Sequence, residues 1–528
     1  MIPKSKFKFL IVLVINLTIA TGYYFENLNA TYSQLSSDLL NIIPIAQKFD
    51  NPELYKYDLY VDTIENVKYY TPFYVQTLRF FAKYSNHDYI LALNIMSTCC
   101  HFVFGILWFL LFYKFGKNYW IALLMSILIR GVIWMPGFEI LGISGLWSIM
   151  PRTLYISLFP LPFLILSKRF NSIILASFLI GLLFNFHPIT GLGSILLFLL
   201  FLFFYKAYFV NEKYFTLKKC AIILLSLVLG MLPFIFTYFG KTSVATIYNL
   251  SLYEQAFNAR IPQFFSNPIE LFKLWFKSNT ILFLAPVIIY FVTARTNKND
   301  FKKAKIIVFI TLLLFILPLL SVYVEDIINK IFDKNLRMSF QLVRAQKMVI
   351  IPSYFALAFL LIQFGKSNNF KKIIPVICCV FLTILIFSKS TISQNIPIVN
   401  KSFFKGILPF NLSVSKPSNA GNKTKDAMAK YIKNYTDIDA VVFGDYFYRS
   451  AAKRSVVLDT KGASMIIEGN PEKLIKWYQG KLEFWAIKSI DERMVFLKNY
   501  GVNYYVTKNT TYSLEVVYKV DDLILYKL

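Results

Sequence analysis

Residues 25–87 read FENLNATYSQLSSDLLNIIPIAQKFDNPELYKYDLYVDTIENVKYYTPFYVQTLRFFAKYSNH. This segment follows the first apolar run and is the only long polar stretch before residue 205. It carries seven acidic residues, with tyrosines such as Tyr57 between them. Acids and aromatic faces at a membrane surface can bind a polar substrate and take a proton. The alternative is a loop of solvated acids with an interfacial belt of tyrosines. For the loop as a whole we expect a functional site.

The composition of the chain indicates a polytopic α-helical membrane protein. Its 528 residues are 56% hydrophobic, its mean hydropathy is +0.53, and apolar runs of about 17–25 residues recur, which is the length that spans a bilayer. The net charge of +27 does not indicate a nucleic-acid partner, because most basic clusters lie in short links between apolar runs. That distribution follows the positive-inside rule, and such clusters also meet anionic membrane lipid.

The alternation of apolar runs and basic links predicts a topology of about eleven transmembrane helices within residues 1–388. The first helix is expected to remain uncleaved in the plasma (inner) membrane, with a cytoplasmic N-terminus and residues 25–87 outside. Two segments, 153–167 and 171–186, are short for full spans. If they form a re-entrant pair, the count falls by two and the C-terminus stays outside.

The composition changes after residue 388. Residues 389–422 are rich in Pro, Ser and Asn and are expected to form a linker. Residues 423–528 alternate amphipathic helical patterns with short apolar stretches that are typical of strands. They predict a small extracytoplasmic α/β domain of about 100 residues, a size sufficient for its own core. Within this domain we expect surface residues at Asp445, Tyr446, Arg449 and Arg454. The alternative is that these residues help to hold a substrate over a site at the membrane.

The layout resembles the GT-C superfamily of membrane glycosyltransferases. The features that carry this resemblance are the acidic first outside loop, the alternating basic links and the C-terminal domain. The chain is most similar to poorly characterised bacterial members in two segments, LSSDLLNIIPIAQKFDNPELYKYD at residues 35–58 and YRSAAKRSVVLDTKG at residues 448–462. The resemblance covers the whole chain in topology, but its motifs are not specific.

The resemblance implies transfer of a hexosyl or pentosyl group from a polyprenyl-phosphate donor at the outer membrane surface. The acceptor would be a glycan, lipid or protein of the cell envelope. A first-loop carboxylate would act as the general base, and by position Asp38 is the first candidate, Asp58 the second and Asp62 the third. The spacing of these acids departs from the tight acidic motif that is common in the superfamily. Mg²⁺ or Mn²⁺ on Asp38 and Asp58 is compatible with oxygen ligands, but the spacing does not require a metal.

Cationic side chains would stabilise the leaving phosphate. Arginine binds phosphate oxygens in a bidentate manner, and the candidates near the outer face are Arg152, Arg260, Arg337 and Arg344. For each of them the alternative is snorkelling to the membrane interface. His187 is a further substrate-binding candidate, although a histidine in a turn before proline is more often structural.

Two other classes of function fit the same sequence. A transporter or flippase for lipid or glycan would need a polar path through the membrane centre. A non-catalytic membrane scaffold would keep the GT-C-like fold without the activity. A glycosyltransferase instead predicts an acid and an arginine in one cavity at the membrane surface.

Overall fold

The computed structural model describes most of the chain. The described residues are 6–67, 69–131, 133–134, 139–140, 142–143, 145–204, 216–240, 248–261, 267–277, 280–332, 337–366, 373–387, 421–467, 469–508, 510 and 512–528. Almost all of the expected linker at 389–422 lies outside these residues. The chain divides into two compact units. The first comprises Met1–Glu26, Ser97–Pro233 and Gln263–Pro417, and the second comprises Asn27–Met96, Phe234–Pro262 and Ser418–Leu528.

Apolar helices dominate the first unit. Among the described residues, the helical segments long and apolar enough to cross a membrane are Lys6–Glu26, Tyr89–Gly116, Leu217–Phe239, Lys298–Phe332 and Ser339–Phe364. Shorter helices are Tyr119–Leu128, Pro151–Leu158, Pro160–Ile165, Phe170–Phe184, Pro188–Phe204, Pro268–Lys277, Ala285–Thr293 and Ile373–Phe387. Two short strands, β1 (Ile133–Trp134) and β2 (Glu139–Ile140), form an antiparallel pair. These helices indicate a helical membrane protein, whereas a count of eleven spans stays a prediction.

The long helices leave large apolar side chains uncovered, which suits a lipid environment. Leu224, Leu225 and Leu229 in Leu217–Phe239 are each about half exposed or more. Contiguous apolar surface of this kind is unfavourable in water. Both segments that the sequence marks as short have helices below the roughly 20 residues of a full span. The first contains Pro151–Leu158 and Pro160–Ile165, and the second contains the 15-residue helix Phe170–Phe184.

Small residues allow two helices of the first unit to approach closely. A Cβ atom placed on Gly181 would lie 2.1 Å from the carbonyl oxygen of Leu227, and one on Gly230 would lie 2.3 Å from that of Phe178. Asn185 Nδ2 donates to the Gly230 carbonyl at 2.8 Å. Close backbone approach at glycine with interhelical hydrogen bonds is typical of membrane helix packing.

The second unit contains a mixed five-stranded sheet. Its strands are β3 (Val441–Phe443), β4 (Ser455–Val456), β5 (Tyr504–Thr507), β6 (Glu515–Val520) and β7 (Leu523–Lys527). The order is β4-β3-β5-β7-β6, with β3 parallel to β4 and β5, and β7 antiparallel to β5 and β6. The turn between β6 and β7 contains Asp521 at φ +50°, a conformation that tight hairpins require and Asp tolerates.

The helices of the second unit come from three separate parts of the chain. They are Ser37–Asp50, Tyr74–Lys83, Leu250–Arg260, Lys423–Tyr435, Phe447–Ala452, Pro471–Ala486 and Ile490–Asn499. The expected helices and strands after residue 423 are all confirmed. The expected first outside loop is not a separate element, because it folds into one unit with the C-terminal residues. Helix Ser37–Asp50 contacts helix Phe447–Ala452, and helix Leu250–Arg260 contacts helix Pro471–Ala486.

Candidate functional site

Asp38 lies in the first turn of helix Ser37–Asp50, where a negative charge is favoured by the helix dipole. Ser36 caps this helix by accepting a hydrogen bond from the Leu39 backbone N–H at 3.3 Å. The Asp38 carboxylate accepts from Lys461 Nζ at 2.6 Å, and its side chain is 45% exposed. Asn41, one turn later, donates to the Lys461 carbonyl at 2.9 Å. Asp38 is therefore a fixed carboxylate that solvent and a ligand can reach.

Arg260 ends helix Leu250–Arg260 and lies within electrostatic range of Asp38. Burial lowers the pKa of the Arg260 guanidinium, and the negative charges of Asp38 and Asp459 oppose that effect. Among the described residues, its buried Nε has no hydrogen-bond partner. Tyr253 of the same helix donates to the Ile467 carbonyl at 3.1 Å and holds the helix in place. The second unit thus brings together two sequence-predicted site residues, Asp38 and Arg260.

Asp58 belongs to a fully buried charge cluster. Its carboxylate accepts from Arg449 Nε at 2.6 Å, and Arg449 also pairs with Asp459 at 2.5 Å. Burial by itself would lower the pKa of Arg449, but the charges of Asp459 and Asp58 outweigh it and the pKa is raised. The backbone N–H groups of Tyr60 and Val456 donate to Asp58 at 3.0 and 2.9 Å. The side chains of Asp58 and Arg449 are 0% exposed, so the geometry gives Asp58 a structural role and not that of an accessible base.

Asp62 forms the third ion pair of this kind. Its two carboxylate oxygens accept from Lys473 Nζ at 2.5 and 2.6 Å, and the two side chains are 28% and 21% exposed. All three sequence-predicted acids are thus paired with cations from residues 449–473. The cations are Lys461, Arg449 and Lys473.

Asp62 and Tyr57 line an open polar cleft of about 970 Å³ in the second unit. The Tyr57 ring is 60% exposed there, which leaves an aromatic face free for a ligand. Lys476 and Asn503 also line the cleft. It is large enough for a small polar ligand, since binding pockets commonly measure about 300–1,000 Å³.

The remaining predicted residues belong to the first unit. Arg152 is buried, with Nη2 at 3.1 Å from the sulfur of Met150. Arg344 donates to Gln341 Oε1 at 3.2 Å, and Arg337 is half-buried. His187 is buried, and its Nδ1 accepts from the Thr190 backbone N–H at 3.0 Å. This bond caps helix Pro188–Phe204 and supports the structural interpretation of His187.

The expectation of surface charge at Arg449 and Arg454 is wrong, because both side chains are buried. Arg454 donates from Nη2 to the carbonyls of Lys433 and Thr436 at 2.9 and 2.7 Å, at the end of helix Lys423–Tyr435. Sequence reasoning did not assign the partners Lys461, Asp459 and Lys473. The sequence around Arg449 carries no local signal for its pairing, because Asp58 lies 391 positions away.

The described residues contain no group of three or more His, Cys, Asp or Glu side chains that could hold a metal ion. Asp38 and Asp58, the two candidate metal ligands, each direct a carboxylate oxygen at a cationic side chain. A metal there would have to displace Lys461 or compete with a buried arginine.

No protein-family model matches the chain, and no curated protein matches it at a significant level. The class that the structure itself supports is a helical membrane protein with a small C-terminal sheet.

Proposed function

We propose that the chain is a GT-C-like membrane glycosyltransferase. It would move a hexosyl or pentosyl group from a polyprenyl-phosphate donor to a glycan, lipid or protein acceptor of the cell envelope. One observation carries the proposal: Asp38 is a half-exposed carboxylate with Lys461 at 2.6 Å and Arg260 within electrostatic range. A reachable base that is paired with one cation and lies within electrostatic range of a second suits transfer from a sugar phosphate.

In the proposed reaction, Asp38 takes the proton of the acceptor hydroxyl as the acceptor oxygen bonds to the anomeric carbon. The bond between the anomeric carbon and the phosphate oxygen breaks, and its electron pair leaves with the phosphate. Lys461 and Arg260 stabilise the phosphate charge, with Arg260 contributing its positive charge. Phosphate binding to Lys461 would also release Asp38 from its ion pair.

The test compares Asp38→Asn with Asp62→Asn in the purified full chain. Both variants remove a partly exposed ion pair with a lysine, at 2.6 and 2.5 Å, so similar, small effects on folding are expected. Polyprenyl-phosphate hexoses and pentoses are supplied one at a time, and release of polyprenyl phosphate is measured. We expect Asp38→Asn to lose about 10²–10⁴-fold in rate, the usual contribution of a general base, and Asp62→Asn to stay within a few-fold of wild type. Equal rates for the two variants would refute the role of Asp38.

A second candidate function, a non-catalytic scaffold, is favoured by the three ion pairs between residues 38–62 and 449–473. In that case these acids serve only to join the first polar segment to the C-terminal residues. The wild-type chain would then release no polyprenyl phosphate from any donor. Asp38→Asn and Asp62→Asn would lower thermal stability by similar small amounts, as is usual for exposed pairs.

A further inference from the structure

An apolar cavity lies among the helices of the first unit. Residues of Tyr89–Gly116, Pro188–Phe204, Lys298–Phe332 and Ile350–Phe364 contribute to its wall. Every lining side chain is apolar except Lys303. The interior volume is about 70 Å³, whereas one water needs roughly 10–15 Å³. An apolar wall offers water no hydrogen-bond partner, so such a space accepts hydrocarbon rather than water.

Lys303 places a cationic group at the edge of this apolar space. Its Nζ lies 5.4 Å from the centre of the Phe359 ring and 3.8 Å from Asp300 Oδ1. Lys366 also approaches Asp300, at 3.3 Å. Two lysines therefore share one carboxylate, which leaves positive charge beside the cavity.

The surrounding charge is strongly positive. Among the described residues 294–305 and residue 366, six basic side chains accompany the single acid Asp300, for a net charge of +5. The basic residues other than Lys303 are Arg295, Lys298, Lys302, Lys305 and Lys366. A cluster of this kind attracts an anionic headgroup by about 1 kcal/mol for each lysine or arginine near the membrane surface.

We propose that this cavity takes a few methylene groups of one acyl chain of an anionic phospholipid, with the lipid phosphate held by Lys303. The apolar wall selects hydrocarbon, and the excess positive charge selects an anionic headgroup over a zwitterionic one. The site belongs to the first unit and involves none of the residues of the candidate transfer site, so it stands or fails independently of the proposed function.

The test titrates the delipidated full chain, in neutral detergent, with dioleoyl-phosphatidylglycerol or dioleoyl-phosphatidylcholine and counts bound lipids by native mass spectrometry. We expect one phosphatidylglycerol to bind more tightly than phosphatidylcholine. Lys303→Gln should weaken phosphatidylglycerol binding at least about tenfold, because it removes a charged hydrogen bond to the phosphate. It should also weaken the poorer binding of phosphatidylcholine, which carries the same phosphate.

Lys305→Gln is the matched control for the charge. It removes the same charge two positions away, but Lys305 is exposed, contacts the Phe301 ring at 4.6 Å and does not line the cavity. Its effect should stay within about fivefold, the equivalent of one surface lysine, and clearly below that of Lys303→Gln. Ile306→Trp tests the apolar part without a change of charge, because half-buried Ile306 lines the cavity. This substitution should reduce binding of both lipids.

Three results would overturn the proposal. They are equal affinity for the two lipids, equal weakening by Lys303→Gln and Lys305→Gln, and unchanged lipid binding in a folded Ile306→Trp variant.

Discussion

Replacement of Arg449 by methionine tests the buried charge cluster of the second unit. Methionine keeps the apolar volume but removes the cation between Asp58 and Asp459. In the wild-type structure Arg449 donates to these carboxylates at 2.6 and 2.5 Å, and to the Val456 carbonyl at 2.7 Å. The side chains of Asp58 and Asp459 are only 0% and 5% exposed. The variant therefore leaves two buried negative charges without their partner.

The expected cost follows from this burial. Removing one partner of a buried ion pair costs about 3–5 kcal/mol, because the remaining charge stays out of water. A folded unit has only about 5–15 kcal/mol of stability, so the substitution removes a large part of it. For a unit of roughly 200 residues, 1 kcal/mol shifts Tm by about 2–4 °C. We expect Arg449→Met to lower the Tm of the second unit by about 6–20 °C.

Lys473→Met is the control, since it breaks the partly exposed pair with Asp62. Exposed pairs contribute about 0–1 kcal/mol, so its Tm should fall by less than about 4 °C. The chain divides into two compact units, so the assay must report on the second one. Hydrogen exchange of amides in β3 and β4, followed by mass spectrometry during heating, does so.

Equal shifts of the exchange midpoint in Arg449→Met and Lys473→Met would contradict this expected cost. Unchanged exchange of β3 and β4 in Arg449→Met would contradict it as well. Either result would mean that Asp58 and Asp459 do not depend on Arg449 for their burial.

Two further predictions concern packing and pH. Gly230→Val should destabilise the first unit by several kcal/mol, because a Cβ atom at Gly230 would lie 2.3 Å from a backbone oxygen. Gly22→Val is the control and should be nearly neutral, because a Cβ atom there would have nothing within 4 Å. Thermal unfolding of the two variants measures the difference. Burial raises the pKa of Tyr505 to about 12, so folding favours the protonated phenol and stability falls as pH rises from about 10 to 12. Between pH 9 and pH 11, wild type should therefore lose about 1 kcal/mol more unfolding free energy than Tyr505→Phe loses. Denaturant titrations at the two pH values measure this difference.

Local patterns predicted the C-terminal helices and strands, because each pattern repeats within a few residues. The helix Ser37–Asp50 was not predicted, since Pro44 lies inside it and proline usually interrupts a helix. The role of Arg449 was also missed. Its partner Asp58 lies 391 positions away in the sequence, and no local pattern reports a contact at that distance. For the same reason the sequence offered four arginines as candidates to bind the leaving phosphate, and only Arg260 shares a unit with the candidate acids.

The separation between Asp58 and Arg449 also has a consequence for biosynthesis. A ribosome adds about 5–20 residues per second, so the 391 intervening positions take about 20–80 seconds to translate. Throughout that interval the early acidic segment has been made while its arginine and lysine counter-charges do not yet exist. The second unit therefore cannot fold as the nascent chain emerges. It must close after synthesis of the membrane helices, when residues 441–527 have supplied the strands of its sheet.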